Sequence, residues 1–268
     1  MRHIKTYQIF EASAPALTQE QKDWLDECTF DGSWSVNPQT GLVDVDGDFS
    51  CTGQGLTDFK GVRFGNIIGD FDCDRNQLTS LEGAPQRVGG YFDCRRNQLT
   101  TLDGAPREVG RDFNCSDNSL TSLDGAPREV GRDFDCEYNS LTSLDGAPRE
   151  VGRGFDCSNN RLSTLKGAPQ KVSVYFRCGG NQLTTLDGAP QQVDADFSCY
   201  DNPITEWSIE GILREMSNEG ITLEQAVERL WNEIPEEDRI YLAKHHPNLP
   251  PEEKREYEAL ERHKKRLI

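Results

Sequence analysis

The chain has 268 residues, a formal net charge of −17, 35% hydrophobic residues and 28% charged residues. This acidic balance argues against direct binding of nucleic acid, because phosphate contacts need clustered lysine and arginine. No apolar run approaches the roughly 20 residues of a membrane span, and the N-terminus lacks the continuous apolar stretch of a secretory signal. The sequence therefore predicts a soluble cytoplasmic protein that contacts neither a membrane nor nucleic acid directly.

Residues 1–16 form a predicted N-terminal arm, which contains the segment IKTYQIFEA. This segment resembles the short capsid-targeting peptides of internal head proteins in T-even-type bacteriophages, which are cut after an Ile/Leu-x-Glu tripeptide. The resemblance implies a processing site at Ile9, Glu11 and Ala12, with Ala12 as the new first residue. It also implies a phage origin, with the protein in the host cytoplasm or packaged in the virion. The alternative is an ordinary amphipathic start that packs on the next segment.

Residues 17–46 are predicted to cap the structure that follows. Thr18 and Gln21 match a capping box, which predicts a helix through about Cys28. Four large apolar residues are expected to cover the first turn of the fold. They are Trp24, Leu25, Phe30 and Trp34.

Residues 47–202 repeat a single unit, with the consensus F-x-C-x-x-N-x-L-T-x-L-x-G-A-P-x-x-V. The first step between successive phenylalanines is 22 residues and the other six steps are 21. A fixed period of this length predicts a solenoid. The eight phenylalanines are Phe49, Phe71, Phe92, Phe113, Phe134, Phe155, Phe176 and Phe197.

The unit that starts at Phe113 shows how each repeat is expected to fold. Alternation at Phe113 and Cys115 predicts a short strand with both side chains inward. Asn118 closes the strand, and its amide is expected to bond the backbone of the adjoining coil. Leu120 and Leu123 then face the core, Gly-Ala-Pro forms the outer bend, and a valine brings the chain back.

This pattern resembles the leucine-rich repeat family, in its short bacterial and tailed-phage type, over about residues 47–202. The resemblance implies an α/β solenoid with eight short parallel strands, an N-terminal cap and a C-terminal helical region. The chain departs from the family at the first leucine position, where Gly110, Gly131 and Gly152 stand instead. That departure leaves the start of each strand open by one residue.

The cysteine of each repeat is predicted to be a buried structural residue. Successive cysteines lie one strand spacing apart, about 4.8 Å, and point the same way, which is poor geometry for a disulfide. No C-x-x-C pair of the kind that zinc sites use occurs. Cysteine packs as a small apolar group, and a reducing compartment is implied. Metal or redox chemistry at these thiols is the lesser alternative.

Residues 203–268 are predicted to form helices over 205–217 and 223–233, and two more that start at Pro235 and Pro251. They are interpreted as a C-terminal cap and an interaction region. No P-loop, H-E-x-x-H or nucleophile-elbow motif occurs, and no nucleophile is paired with a base. The sequence therefore predicts no catalytic residue, no metal site, no cofactor and no enzymatic activity.

Residues next to Phe and Cys are expected to point outward, onto the concave side of the solenoid. They place carboxylates in two adjoining lines, about 4.8 Å apart from rung to rung, where unit charges repel by about 0.9 kcal/mol even in water. Serine or threonine would serve folding equally well on this argument. The predicted partner-binding residues are Asp70, Asp72, Tyr91, Asp93, Asp112, Asp133, Asp135, Glu137, Tyr138, Asp156 and Tyr175.

Such a line of charge predicts docking of another protein with a basic surface. The leading hypothesis is a non-enzymatic interaction scaffold, for instance a phage protein that acts on a host or defence factor. The competing hypothesis is a packaged or structural virion protein. An acidic face inherited by copying one repeat, and weak calcium binding, are further alternatives. The oligomeric state is open.

Overall fold

The computed structural model describes residues 16–199 and 201–203. The processing site at residues 9–12 and the helices predicted from residue 205 onward lie outside these residues. Helix α1, Gln19–Cys28, begins with the predicted capping box: the Thr18 hydroxyl accepts from the Gln21 backbone N–H, and the Gln21 side chain accepts from the Thr18 backbone N–H. No helix of the described residues is long and apolar enough to cross a membrane.

Helix α1 packs its apolar side on the first turn of the repeat region. Trp24, Leu25 and Cys28 are buried, and the Trp24 ring meets the Phe49 ring edge-on, with centroids 5.4 Å apart. Strand β1, Thr29–Val36, then pairs antiparallel with β2, Val43–Ser50. The expected burial of Phe30 is wrong, because β1 lies at the sheet edge with a register shift just after this residue, and Phe30 is 51% exposed.

Two parallel ladders of short strands, joined through β2, make up the repeat region. The Phe–Cys sheet consists of β2, β4 (Phe71–Asp72), β6 (Phe92–Asp93), β8 (Phe113–Asn114), β10 (Phe134–Asp135), β12 (Gly154–Asp156), β14 (Tyr175–Arg177) and β16 (Asp196–Ser198). The valine sheet consists of β3 (Phe64–Ile67), β5 (Arg87–Val88), β7 (Glu108–Val109), β9 (Glu129–Val130), β11 (Glu150–Val151), β13 (Lys171–Val172) and β15 (Gln192–Val193).

The eight predicted strands are therefore present, but the α/β class is wrong for the described residues. The returning valine segment of each repeat pairs with the same segment of its neighbours, so it forms a second ladder where the prediction had only a return of the chain. The result is a parallel β-solenoid of about seven turns that resembles a leucine-rich repeat. Strands β4, β6, β8 and β10 start at the phenylalanine, whereas β12, β14 and β16 start one residue before it.

Columns of identical residues fill the core. All the strand phenylalanines except Phe197 are at most 1% exposed. Their rings stack from rung to rung with centroids 5.1–5.6 Å apart. The two leucine columns are buried beside them. The predicted inward residues are thus confirmed.

The cysteines form the predicted column, buried from Cys51 to Cys178, with Cys199 half-buried. Six of the thiols, starting with Cys73, donate to a backbone carbonyl of the next repeat at 3.2–3.4 Å. Burial raises the pKa of the Cys115 and Cys136 thiols well above the ordinary value. These thiols are therefore protonated donors within the ladder and are poor nucleophiles or metal ligands.

The asparagine column bonds each repeat to the one before it. The Asn118 amide donates to the carbonyls of Cys94, Cys115 and Ser116, each at 3.1 Å, and its oxygen accepts from the Leu99 N–H at 3.0 Å. The prediction that this amide bonds the adjoining coil is confirmed. One side chain thus bonds four backbone groups, of which the Ser116 carbonyl also accepts from the Arg96 N–H at 3.1 Å.

Close backbone contact explains the glycine at the first leucine position. A Cβ at Gly110 or Gly131 would lie 2.1 Å from the carbonyl oxygen of the glycine one repeat earlier, which is far inside van der Waals contact. Successive turns are in close backbone contact here, so a side chain at either glycine would force them apart. The contact runs from Gly89 to Gly152, and Ile68 and Ser173 occupy the equivalent positions at its two ends.

Candidate docking face

The acidic strip is the outer surface of the Phe–Cys sheet. Its middle column stands between each Phe and Cys, and its neighbours are paired in register: Asp72, Asp93, Asn114, Asp135, Asp156 and Arg177. A second column, directly before each Phe, contains Asp70, Tyr91, Asp112, Asp133 and Tyr175. Among the predicted binding residues Asp93 is buried, Tyr138 is exposed, and the others are half-buried.

The middle-column carboxylates have a structural task that the sequence argument missed. The Oδ1 atoms of Asp72, Asp93, Asp135 and Asp156 each accept the backbone N–H two residues later, at 2.9–3.0 Å. These Asx turns hold the chain as it leaves each strand. The expectation that serine or threonine would serve folding equally well is therefore wrong, because their shorter side chains make this turn more weakly.

The second column also bonds the backbone, in this case between rungs. The Asp70 carboxylate accepts from the Tyr91 N–H at 2.8 Å, and the Asp112 carboxylate accepts from the Asp133 N–H at 3.1 Å. In contrast, Asp133 Oδ1 is buried with no hydrogen-bond partner in the described part of the chain. In the second column, Asp70 and Asp112 thus bond the backbone, whereas one oxygen of Asp133 is left without a hydrogen bond in the described residues.

Arginines neutralise part of the strip. Arg95 lies 3.3 Å from Asp93 and 3.6 Å from Asp74. Three further pairs were not predicted, at 3.7–3.9 Å: Arg132 with Asp112, Arg153 with Asp133, and Arg177 with Asp156. The sequence offered one indication of these pairs: Arg132 and Arg153 both stand two residues before a strand phenylalanine, which places them beside the second column.

Asp72, Asp135 and Glu137 have no lysine or arginine nitrogen within 4.0 Å among residues 16–199 and 201–203. Burial raises the pKa of Asp135 to about 7, with further raising by Glu137 and Asp156. Burial also raises the pKa of Asp93 to about 6, although Arg95 opposes this. The centre of the strip therefore holds carboxylates whose charge is poorly compensated within the described fold.

Two tyrosines lie on the strip, and a third does not. The Tyr175 ring covers Gly154, where any Cβ would collide with it, and the Arg177 guanidinium lies 4.5 Å from the ring centroid. Burial and nearby aspartates raise the pKa of Tyr91 and Tyr175 to about 12, so both hydroxyls stay neutral donors. Tyr138 is 54% exposed and sits in the turn after the strand with φ of 51°, outside both columns.

We expect Asp135→Asn to stabilise the fold above pH 7. The pKa of Asp135 is raised on folding, so between about pH 4 and 7 the folded state holds a proton that the unfolded state releases. Stability is therefore lost progressively as pH rises from about 4 to about 7, and the loss is complete above the folded pKa. A pKa unit is worth about 1.4 kcal/mol, but the neutral amide makes a weaker bond to the Glu137 N–H. We expect a gain of about 1–2 kcal/mol at pH 8.

Urea unfolding of wild type and Asp135→Asn at pH 5 and pH 8 measures this effect. Asn114 is a natural precedent, since its Oδ1 makes the same turn bond at 3.0 Å in the preceding repeat. Two results would contradict an electrostatic cost of the ionised Asp135 carboxylate. One is a variant that is only as stable as wild type at pH 8. The other is a variant whose stability depends on pH as strongly as that of wild type.

The described residues hold no group of three or more His, Cys, Asp or Glu side chains placed to bind a metal ion. The carboxylates of the strip lie in parallel columns, one rung apart.

Comparisons with known proteins add little to this picture. No protein-family model matches the chain, and no curated protein sequence matches it. Among solved structures, the chain is similar to InlJ from Listeria monocytogenes, whose functional domain includes a cysteine ladder, with 16% identity and a TM-score of 0.27. The match covers 62% of this chain and 56% of that one. The repeat assignment rests on the strand pairing of this chain itself.

Proposed function

We propose that this protein is a non-enzymatic interaction scaffold that docks a basic protein partner on its acidic strip. A phage origin, with a host or defence factor as the partner and the bacterial cytoplasm as the location, belongs to the same proposal. The support for docking comes from the strip itself.

One observation carries the proposal: the turn bonds of the middle column do not need a charge. Asn114 makes the same bond to the backbone two residues later as its neighbours Asp93 and Asp135. Yet four middle-column positions are aspartates, and burial and like charges raise the pKa of Asp93 and Asp135. A charge that folding does not require, kept where it is unfavourable, is characteristic of a binding surface.

A basic partner would relieve this electrostatic cost. Lysine or arginine side chains placed against Asp72, Asp135 and Glu137 would supply the cations that the described fold lacks there. Complementary charge also speeds encounter and disfavours acidic competitors. Binding should therefore weaken as pH falls from 8 to 5.5, because Asp135 and Asp93 take up protons in that range.

Affinity capture with two matched variants tests the proposal. The strip variant carries Asp72→Asn, Asp135→Asn and Glu137→Gln, the three carboxylates without a close cation in the described fold, and its two asparagines keep the Oδ1 acceptors of the Asx turns. The valine-sheet control carries Glu108→Gln, Glu129→Gln and Glu150→Gln, which remove the same number of negative charges from the other sheet.

We expect proteins with basic surfaces to be retained by wild type and by the valine-sheet control, and to be lost from the strip variant. Identical retention by all three proteins at physiological salt would overturn the proposal. Equal loss from both variants would also contradict it, since net charge rather than the strip would then explain the capture.

A packaged virion component is the second candidate, and it rests on the Ile9-Phe10-Glu11 tripeptide alone. N-terminal sequencing of the protein from purified particles tests it. A chain that starts at Ala12 supports packaging, and absence of the protein from particles contradicts it.

A further inference from the structure

A column of arginines without a salt-bridge partner in the described residues lies at the valine sheet, away from the acidic strip. Arg107, Arg128 and Arg149 each directly precede a valine-sheet strand and are exposed. Their rungs are bonded through the backbone: the Arg128 N–H donates to the Arg107 carbonyl at 2.9 Å. None of the three lies within 4.0 Å of a carboxylate in the described residues.

This arginine column is locally basic in a strongly acidic protein. It belongs to three REVGR segments, 107–111, 128–132 and 149–153, each of which has two arginines and one glutamate. The three segments together carry a net charge of +3, whereas the whole chain carries −17. Glutamine occupies the equivalent position in the flanking repeats, at Gln86 and Gln170, so folding does not require arginine there.

The acidic strip and the arginine column have the same spacing, because both are generated by the same repeat. Successive rungs are about 4.8 Å apart on either sheet. Every rung of the strip from Asp72 to Asp156 has a carboxylate in at least one of the two columns. Consecutive arginines of one molecule can therefore face carboxylates on consecutive rungs of another when the long axes are aligned. Within the described fold, Asp135 and Glu137 have no lysine or arginine nitrogen within 4.0 Å, and the three arginines have no carboxylate oxygen within that distance. The two surfaces are therefore complementary in sign and in period.

We propose that the arginine column docks on the acidic strip of a second copy of this chain. This inference uses the strip of the proposed function as one of its two surfaces. The contact joins different faces of the two molecules, so each molecule leaves one strip and one column free. Such a heterologous contact grows into open assemblies rather than closing as a symmetric dimer.

Sedimentation velocity on the full chain tests the proposal at pH 8 and about 0.15 M salt, where screening leaves short-range pairs effective. The column variant carries Arg107→Gln, Arg128→Gln and Arg149→Gln, which reproduce the residue of the flanking repeats. The strip variant is the one defined above. Wild type is expected to show concentration-dependent species larger than a dimer at up to about 100 μM.

Each variant alone is expected to associate at least about tenfold more weakly than wild type, since each has lost one of the two surfaces. An equimolar mixture of the two variants is expected to form a 1:1 heterodimer that does not grow further, because one intact strip then meets one intact column. The valine-sheet control, which strengthens the basic patch, is expected to associate at least as well as wild type.

A monomeric wild type across this concentration range would overturn the inference. So would association that survives in the column variant, or a mixture that fails to form the heterodimer. If wild type is monomeric but a basic partner is still lost selectively from the strip variant, the inference fails and the proposed function stands. Binding of a polyanion such as heparin by the column of a monomeric wild type would likewise overturn self-docking.

Discussion

Replacing Asn160 with alanine is expected to lower the free energy of unfolding by about 3–5 kcal/mol. The Asn160 amide donates to the carbonyls of Cys136, Cys157 and Ser158 at 3.0–3.1 Å, and its oxygen accepts from the Leu141 N–H at 3.0 Å. Asn160 is 7% exposed, so water cannot replace these bonds. Each buried group left without a partner costs about 1–3 kcal/mol.

Arg161→Ala is the matched control for this substitution. Arg161 is the next residue and is exposed, and its side chain makes no hydrogen bond or ion pair within the described part of the chain. Its truncation is expected to change stability by less than about 0.5 kcal/mol. Urea unfolding of the three proteins compares them. A loss below about 1 kcal/mol for Asn160→Ala would contradict the role of the asparagine column in joining repeats.

Phe134→Ala is expected to destabilise the fold by about 3–5 kcal/mol, through lost burial and a cavity in mid-solenoid. The Phe134 side chain is fully buried, and its ring lies 5.1 Å from the rings of both Phe113 and Phe155. The backbone ladder holds the turns at a fixed spacing, so the neighbouring rings cannot close the gap. The cavity would therefore remove ring contacts from both neighbouring repeats.

Phe134→Leu separates cavity formation from the loss of stacking. Leucine fills most of the volume, so we expect its cost to be less than half that of alanine. Thermal unfolding of the two variants tests this order. Equal losses for leucine and alanine would indicate that ring stacking, rather than filled volume, dominates the column.

The repeat could be predicted from the sequence because its signals are local and repeated. The Phe-x-Cys alternation, the asparagine and the two leucines gave the Phe–Cys sheet, the buried thiols and the backbone bonds of the amide. The valine sheet was missed because a strand of two residues has too little alternation to be recognised. These strands form because the repeat places equivalent residues of successive turns side by side, such as Val109 and Val130, where their backbones can pair.

The acidic strip could be located from the sequence but not interpreted correctly. Its columns follow from strand alternation, whereas the turn bonds of Asp93 and Asp135 depend on the backbone course after the strand. The pairing of Arg132 with Asp112 connects residues 20 positions apart and depends on the corner between the two sheets. Phe30 was misplaced for a similar reason, because a register shift in an edge strand leaves no mark in the sequence.

The most direct test of the docking surface is calorimetric titration of a captured basic partner into wild type, the strip variant and the valine-sheet control, at pH 8 and about 0.15 M salt. We expect the strip variant to bind at least about tenfold more weakly than wild type, and the valine-sheet control to bind within about twofold of it. Equal affinity for the strip variant and wild type would contradict docking on the outer face of the Phe–Cys sheet.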